Sequence, residues 1–141
     1  MKFKEVLDRN SVVHQDDIDK LFDKETANVL LELEETIQDF WNVDRPSANF
    51  LNLLIQIKNV QSALEIGTSN GYSSIWLAKA LKKTGGKLTT LEYWQKRMDL
   101  ALLNFKKTNV DDIITPIVGD AIEILADMNK KRSMEFDFIF V

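Results

Sequence analysis

The chain of 141 residues has no cysteine and one histidine, His14. The missing cysteines exclude disulfides, thiolate zinc sites and cysteine nucleophiles. One histidine cannot build a multi-histidine metal site, and we do not expect it to serve a Ser-His-Asp triad. No apolar run approaches the roughly 18 residues of a membrane-spanning helix, and no signal-peptide core is seen, so we expect a cytoplasmic protein without a membrane partner. The net charge of −4 gives no electrostatic reason to expect nucleic acid.

Prolines and glycines are also few, two and five respectively. The spacing of the apolar residues differs between the two parts of the chain. Apolar residues at three- and four-residue spacing predict helices over 16–42, broken near Asp23, and over 48–58, capped by Ser47. From residue 60 short apolar runs alternate with amphipathic stretches. The alternation predicts strands and helices in turn, with strands over 62–66, 87–91, 113–118 and 136–141 and helices over 71–83, 94–107 and 121–129.

This order favours one α/β domain with a Rossmann-like parallel sheet and N-terminal helices. Its helical region covers 1–58 and its half-sheet 60–141. Pro116 cannot donate to a ladder, which places the third strand at an edge. The second helix is expected to bury one apolar stripe, made of Phe50, Leu51, Leu54 and Ile55.

The loop after the first predicted strand has two glycines, Gly67 and Gly71, four residues apart. Gly67 permits a sharp turn and a close approach of backbone to a ligand. Gly71 permits the next helix to pack closely on the strand. Two glycines of a dinucleotide fingerprint are missing, and Tyr72 stands where a P-loop has lysine, so neither a dinucleotide loop nor an anion-cradling loop is favoured.

Three acids, Glu65, Glu92 and Asp120, end or follow successive predicted strands. Open α/β sheets bind ligands at that edge. Glu65 can bind a positively charged or hydroxyl-bearing group, Glu92 can accept from both ribose hydroxyls, and Asp120 can accept from a purine amino group. Each acid alone has a plain alternative, a solvated strand end or, for Asp120, a helix cap. Together they favour a ligand with a ribose and no pyrophosphate.

These residues carry a resemblance to a known family. The run from Glu65 to Ser73, with its closing Gly-Tyr-Ser, resembles the first motif of S-adenosylmethionine-dependent O-methyltransferases of the catechol and caffeoyl-coenzyme A type. Further similar segments are Trp41-Asn42-Val43, Gly119-Asp120-Ala121 and the closing run Phe136 to Val141, so that the resemblance covers about 37–141. It implies the first four strands of a seven-stranded class I methyltransferase fold.

The resemblance implies a cofactor site for S-adenosylmethionine formed by Val43, Glu65, Gly67, Thr68, Gly71, Ser73, Glu92, Asp120 and Ala121. Glu65 would lie near the cofactor amino group, with the backbone of Gly67 and Thr68 against the cofactor. Ser73 would bind its carboxylate and Glu92 its ribose hydroxyls.

At the ends of this site, Asp120 and Ala121 would border the adenine, and Val43 would close over the cofactor. Tyr72 either packs near the methionine chain or belongs to the core. The tryptophans are expected to be packing residues rather than substrate clamps, with Trp94 also placed to flank the adenine. They are Trp41, Trp76 and Trp94.

The activity implied by the resemblance is methyl transfer to a hydroxyl of a small acceptor, with aromatic compounds the expected class. A divalent cation such as Mg²⁺ is implied for the full-length protein. Its ligands and the catalytic residues are expected beyond Val141, and no metal ligand is expected within this chain. Because the sequence stops inside a predicted buried strand, we expect a truncated, inactive part of a longer enzyme.

The alternative is a non-catalytic half-domain that binds a nucleoside or S-adenosylmethionine and needs a partner or its missing part. A dinucleotide oxidoreductase is a less favoured third interpretation. The apolar surface of the two N-terminal helices is also compatible with a homodimer.

Overall fold

The computed structural model describes residues 15–132 and 134–141, so His14 lies outside the described residues. Helices come first, α1 (Gln15–Leu21), α2 (Lys24–Glu34), α3 (Ile37–Phe40) and α4 (Arg45–Lys58). Strands and helices then alternate as β1 (Ser62–Ile66), α5 (Tyr72–Thr84), β2 (Lys87–Glu92), α6 (Gln95–Lys107), a 3₁₀ turn (Asp111–Ile113), β3 (Ile114–Val118), α7 (Ala121–Lys131) and β4 (Phe138–Phe140). None of the helices in these ranges is long and apolar enough to cross a membrane.

The four strands form one parallel sheet in the order β3-β2-β1-β4. Leu64 of β1 pairs with Thr89 of β2 on one side and with Ile139 of β4 on the other. This arrangement confirms the predicted Rossmann-like layout. Pro116 lies in β3, which pairs only with β2 within the described sheet, as its missing N–H donor predicts.

The core is centred on α5, which contacts both α4 and β2. Its largest side chain, Trp76, is 1% exposed and meets Phe22 edge to face at 4.8 Å between ring centroids. Burying a side chain of this size stabilises the fold by several kcal/mol, on the order of 25 cal/mol per Å² of apolar surface. Because Phe22 lies between α1 and α2, this contact also joins the N-terminal helices to α5.

The start of α4 differs from the sequence prediction. Asp44, rather than Ser47, is the N-cap, and its Oδ1 accepts from the Ser47 N–H at 2.8 Å. Pro46 lies in the first turn of α4, where its missing N–H costs no intrahelical bond. The helix therefore begins earlier than predicted.

The buried stripe of α4 agrees with the prediction only in part. Ile55 is buried and Leu51 packs half-buried against the core, as predicted. Ala48, Asn52 and Ile55 are the buried residues, and Asn52 Nδ2 donates to the Trp76 carbonyl at 2.8 Å. Residues three and four apart share a helix face. Phe50 falls on another face and is 63% exposed, so its predicted burial was wrong.

The helix predicted over 16–42 is interrupted twice. The break near Asp23 was predicted, and Asp23 is the N-cap of α2. A second break at Glu35 and Thr36 was not predicted. It turns the chain so that Phe40 to Val43 reach the loop that follows β1.

Candidate functional site

Two adjoining cavities lie at the carboxyl ends of β1 and β2. The larger has a volume of about 410 Å³ and the smaller about 190 Å³. They share the residues Phe40, Trp41, Ile66, Gly67 and Ser69. Because the shared residues include the loop after β1, one extended ligand can occupy both cavities.

The loop after β1 is fixed to the end of β2 by its backbone. The N–H groups of Gly67 and Thr68 both donate to the Leu91 carbonyl, at 2.8 and 3.1 Å. Gly67 has φ +101°, and a Cβ built there would meet no atom within 4 Å. Its backbone therefore faces open space in the cavities, which fits the close approach of a ligand.

Glu92 lines the larger cavity at the end of β2, and its carboxylate is held by two backbone donors. Oε2 accepts from the Ser69 N–H at 2.8 Å, and Oε1 accepts from the Trp94 N–H at 2.9 Å. A carboxylate oxygen has two lone pairs, so each oxygen keeps one acceptor position. The oriented carboxylate can therefore accept from two neighbouring hydroxyl groups, such as those of a ribose.

Glu65 is fully buried and lines neither cavity. Its carboxylate accepts from Ser73 Oγ at 2.5 Å, from Thr90 Oγ1 at 2.6 Å and from Ser74 Oγ. Since Thr90 donates to Glu65, the 2.6 Å contact between the Thr68 and Thr90 hydroxyls has Thr68 as donor. Burial raises the pKa of Glu65, and the three hydroxyl donors offset part of that rise. The structure thus places Glu65 behind the cavity wall, where it orients Ser73 and, through Thr90, Thr68.

The remaining predicted site residues divide into two groups. Val43, Thr68 and Ser73 line the smaller cavity and Ala121 the larger one, whereas Gly71 and Asp120 line neither. Whether any of them contacts a ligand stays a prediction.

Gly71 and Asp120 both have structural contacts of their own. The sequence suggested that Gly71 allows close packing against the strand. A Cβ on Gly71 would instead lie 2.7 Å from Phe105 Cε1, so the close packing of Gly71 is with α6. Asp120 is the N-cap of α7, and its Oδ1 accepts from the Ile122 N–H at 2.7 Å. This is the helix cap that the sequence offered as the alternative, and a contact with a purine stays a prediction.

The three tryptophans do not share one role. Trp76 is a core residue, as predicted. Trp41 and Trp94 are 86% and 62% exposed and line the cavities, so their predicted packing was wrong. Trp41 has φ 53°, in the left-handed region, which turns the chain after α3 and carries its side chain outward. Tyr72 belongs to the core, with one edge on the smaller cavity.

Phe40, Ser69 and Arg97 line the larger cavity, although the sequence did not predict them as site residues. Ser69 has φ 53°, and its N–H points to Glu92. Its position between two glycines was the one available signal for that turn. Arg97 lies over the Phe40 ring at 5.6 Å from the centroid, which is a cation–π contact across the larger cavity. No local spacing rule joins residues so far apart in the chain.

Within residues 15–132 and 134–141, no three or more His, Cys, Asp or Glu side chains are grouped so that they could hold a metal ion.

A parallel α/β sheet with an open glycine loop and an oriented acid at the next strand defines a class of nucleoside-binding domains. A family model described as O-methyltransferase matches residues 20–141, and the chain belongs to that family.

Individual relatives agree with this assignment. A catechol O-methyltransferase from Niastella koreensis is 37% identical over 100 residues, which cover 71% of this chain and 45% of that protein. A caffeoyl-CoA O-methyltransferase from Medicago sativa is 34% identical over 113 residues, which cover 77% of this chain and 45% of that protein. The O-methyltransferase from Bacillus cereus, solved in complex with SAH, has a TM-score of 0.72 and 35% identity, over 83% of this chain and 53% of that one. The chain spans about half the length of these relatives.

Proposed function

We propose that this chain binds S-adenosylmethionine at the carboxyl ends of β1 and β2, and that the whole protein transfers its methyl group to a hydroxyl of a small acceptor, with aromatic compounds the expected class. The observation that carries the proposal is the Glu92 carboxylate, fixed by the Ser69 and Trp94 amides and lining the larger cavity. The Bacillus cereus relative with bound SAH supports the same ligand class.

The residues around the cavities fit the parts of this cofactor. Glu92 accepts from the ribose hydroxyls, and the open backbone at Gly67 lies against the ligand. Ala121 and the exposed Trp94 border the adenine in the larger cavity. The adenosyl part therefore occupies the larger space.

The smaller cavity takes the amino-acid part. The Thr68 and Ser73 hydroxyl oxygens line it and can accept from the ligand, because their own O–H groups donate to Thr90 and Glu65. Val43 closes it from the N-terminal side, and the predicted contact of Ser73 with the cofactor carboxylate stays a prediction. Glu65 orients both hydroxyls from behind. Its role beside the cofactor amino group, and the roles of Gly71 and Asp120, stay predictions.

The bound cofactor supplies an electrophilic methyl group on a sulfonium centre. This chain contributes binding and orientation, which matter because an in-line displacement depends strongly on the positions of the reacting atoms. The acceptor side is not assigned to any described residue. The divalent cation and the catalytic residues stay predictions about the whole protein.

The test is calorimetric titration of the chain with S-adenosylhomocysteine (SAH), using Glu92→Ala and the exposed-acid control Asp127→Ala. Each hydrogen bond to a charged group contributes about 1.5–3 kcal/mol. We therefore expect Glu92→Ala to weaken binding by about tenfold or more. Asp127, which pairs with Lys131 on the surface of α7, is expected to have no effect when replaced. Unchanged affinity in Glu92→Ala would remove the ribose assignment.

The homodimer also stays a prediction. The outer face of α4 exposes Phe50, Leu53 and Ile57, which are 63%, 47% and 80% exposed. This apolar face supports self-association. Sedimentation velocity measures it directly, and a monomer at all concentrations would contradict it.

A further inference from the structure

Residues 35–44, named here the wall loop, connect α2 to α4 and include the one-turn helix α3. They carry Phe40 to Val43 into the cavity lining. The two ends of the wall loop meet. Arg45, the first residue of α4, donates from Nε to Glu34 Oε1 at 2.8 Å and from Nη2 to Glu34 Oε2. This two-bond pairing fixes direction as well as distance. It closes the base of the wall loop.

The base of the wall loop, where Glu34 and Arg45 meet, is also hydrogen-bonded to α5, the helix that follows the glycine loop (67–71). Tyr72 is the first residue of α5, and its hydroxyl donates to Glu34 Oε1 at 2.7 Å. Burial raises the pKa of Tyr72, and the acceptor Glu34 raises it further, so the phenol stays protonated and donates. Tyr72 directly precedes Ser73, a residue of the smaller cavity.

Three weaker contacts hold the wall loop along its length. Asn70 Nδ2 donates to Thr36 Oγ1 at 3.1 Å, and Ser69 Oγ donates to the Phe40 carbonyl at 3.2 Å. Asn42 Nδ2 donates to the Leu33 carbonyl at 2.9 Å. Two of the three residues that these contacts join to the wall loop, Asn70 and Ser69, belong to the glycine loop. The wall loop and the glycine loop are therefore fixed to each other.

We propose that Glu34, Arg45 and Tyr72 are positioning residues that form the cofactor cavity before the ligand arrives. Glu34 and Arg45 line neither cavity, so they act through the wall loop. Because the wall loop is already ordered, ligand binding does not have to offset the free-energy cost of ordering it, and the affinity for the ligand is correspondingly higher. The identity of the ligand rests on the proposed function.

The first test compares two side-chain contacts that both join α2 to α5. Glu34 joins the end of α2 to the start of α5, and Lys79 Nζ joins α5 to Asp23 at the start of α2 at 3.0 Å, away from the cavities. We expect Glu34→Ala to weaken SAH binding about tenfold. Lys79→Met should leave the affinity unchanged, although both variants lower the melting temperature. Equal affinities in the two variants would overturn the proposal.

A conservative variant separates positioning from a general loss of stability. Glu34→Gln still accepts from the Tyr72 hydroxyl and from one Arg45 N–H. We expect it to keep most of the affinity that Glu34→Ala loses. Should Glu34→Ala fail to fold, Tyr72→Phe removes one hydroxyl and leaves the buried ring. It is expected to weaken SAH binding severalfold, and wild-type affinity in Tyr72→Phe would contradict the proposal.

Amide hydrogen exchange tests the inference without any ligand. The amides of residues 36–43 should exchange faster in Glu34→Ala or Tyr72→Phe than in Lys79→Met, while those of β1 and β2 stay equally protected. Equal exchange in the wall loop would refute the positioning role. If wild-type chain does not bind SAH, the proposed function fails, and this exchange result still decides the role of Glu34.

Discussion

At the scale of single residues, the two glycines of the loop after β1 have similar backbones and different surroundings. Gly67 has φ +101° with open space where a Cβ would stand, and Gly71 has φ +89° with Phe105 and Ala101 close by. A side chain at Gly67 would enter the cavity. One at Gly71 would press against α6.

This difference predicts that alanine at Gly71 mainly costs stability, whereas alanine at Gly67 mainly costs ligand binding. Alanine at either position adds strain of about 1–2 kcal/mol, because L residues disfavour positive φ. Gly71→Ala also adds a clash at 2.7 Å with Phe105 Cε1, so it should lower the free energy of unfolding more than Gly67→Ala does. Gly67→Ala should weaken SAH binding more than Gly71→Ala does, although it lowers the free energy of unfolding less. Urea unfolding and SAH titration of both variants check this, and the reverse order would contradict the assignment.

Glu65 gives a prediction about pH. Burial raises its pKa above the ordinary value of 4.5, so its contribution to stability is fully present below that pH and is lost as the pH rises through the higher folded-state pKa. Glutamine at this position does not titrate. The free energy of unfolding of the wild type minus that of Glu65→Gln should therefore fall as the pH is raised from 4.5. Denaturant unfolding across pH measures it, and a difference that stays constant or grows would show that Glu65 is not desolvated.

At the scale of elements, α2 depends on its first residues. Asp23 Oδ1 accepts from the Thr26 N–H, and Oδ2 accepts from Thr26 Oγ1 and pairs with Lys79. Burial acts to raise the pKa of Asp23, but the bonds from Thr26 and Lys79 outweigh it and lower the pKa to about 2.

Removing this cap should destabilise the chain in a pH-dependent way. Asp23→Ala is expected to lower the free energy of unfolding by about 1 kcal/mol at neutral pH. Because the folded-state pKa is lowered, the advantage of the wild type is present above pH 3.8 and is lost as the pH falls through about 2. Asp23→Asn, which can still cap the helix, should lose less. Thermal melts across this pH range decide it, and a pH-independent difference would speak against an ionised cap.

The helix break at Glu35 and Thr36 shows why local rules gave only part of the wall loop. Apolar spacing continues through Ile37 and Phe40, so the pattern predicted one helix. The chain turns because Thr36 Oγ1 donates to the Leu33 carbonyl, and the Thr36 hydroxyl in turn accepts from Asn70. The second partner comes from the loop after β1, which a local pattern does not include.

At the scale of the whole molecule, the alternation of strands and helices was enough to predict a parallel sheet, and Pro116 was enough to place β3 at its edge. A ligand site at the carboxyl ends of the strands was predicted because open parallel sheets bind ligands there, and Glu92 lies at that edge beside the larger cavity. Glu65 shows the limit. The pairing of β1 with β2 sets it opposite Thr90 among three hydroxyl donors, and that environment is a property of the assembled sheet.

The cavity lining needed contacts between distant parts of the chain. Phe40 meets Arg97, and Glu34 meets Tyr72. Each pair joins an N-terminal helix to the α/β part. The sequence indicated which residues follow the strands, but it could not indicate which helical residues would cover them.

The most direct test of the account is a pair of calorimetric titrations of the wild-type chain, one with SAH and one with NAD⁺. Both ligands have an adenosine ribose, and only NAD⁺ has the pyrophosphate that this glycine loop is not built to hold. We expect one SAH bound per chain and no measurable binding of NAD⁺. Binding of NAD⁺ with no binding of SAH would contradict it.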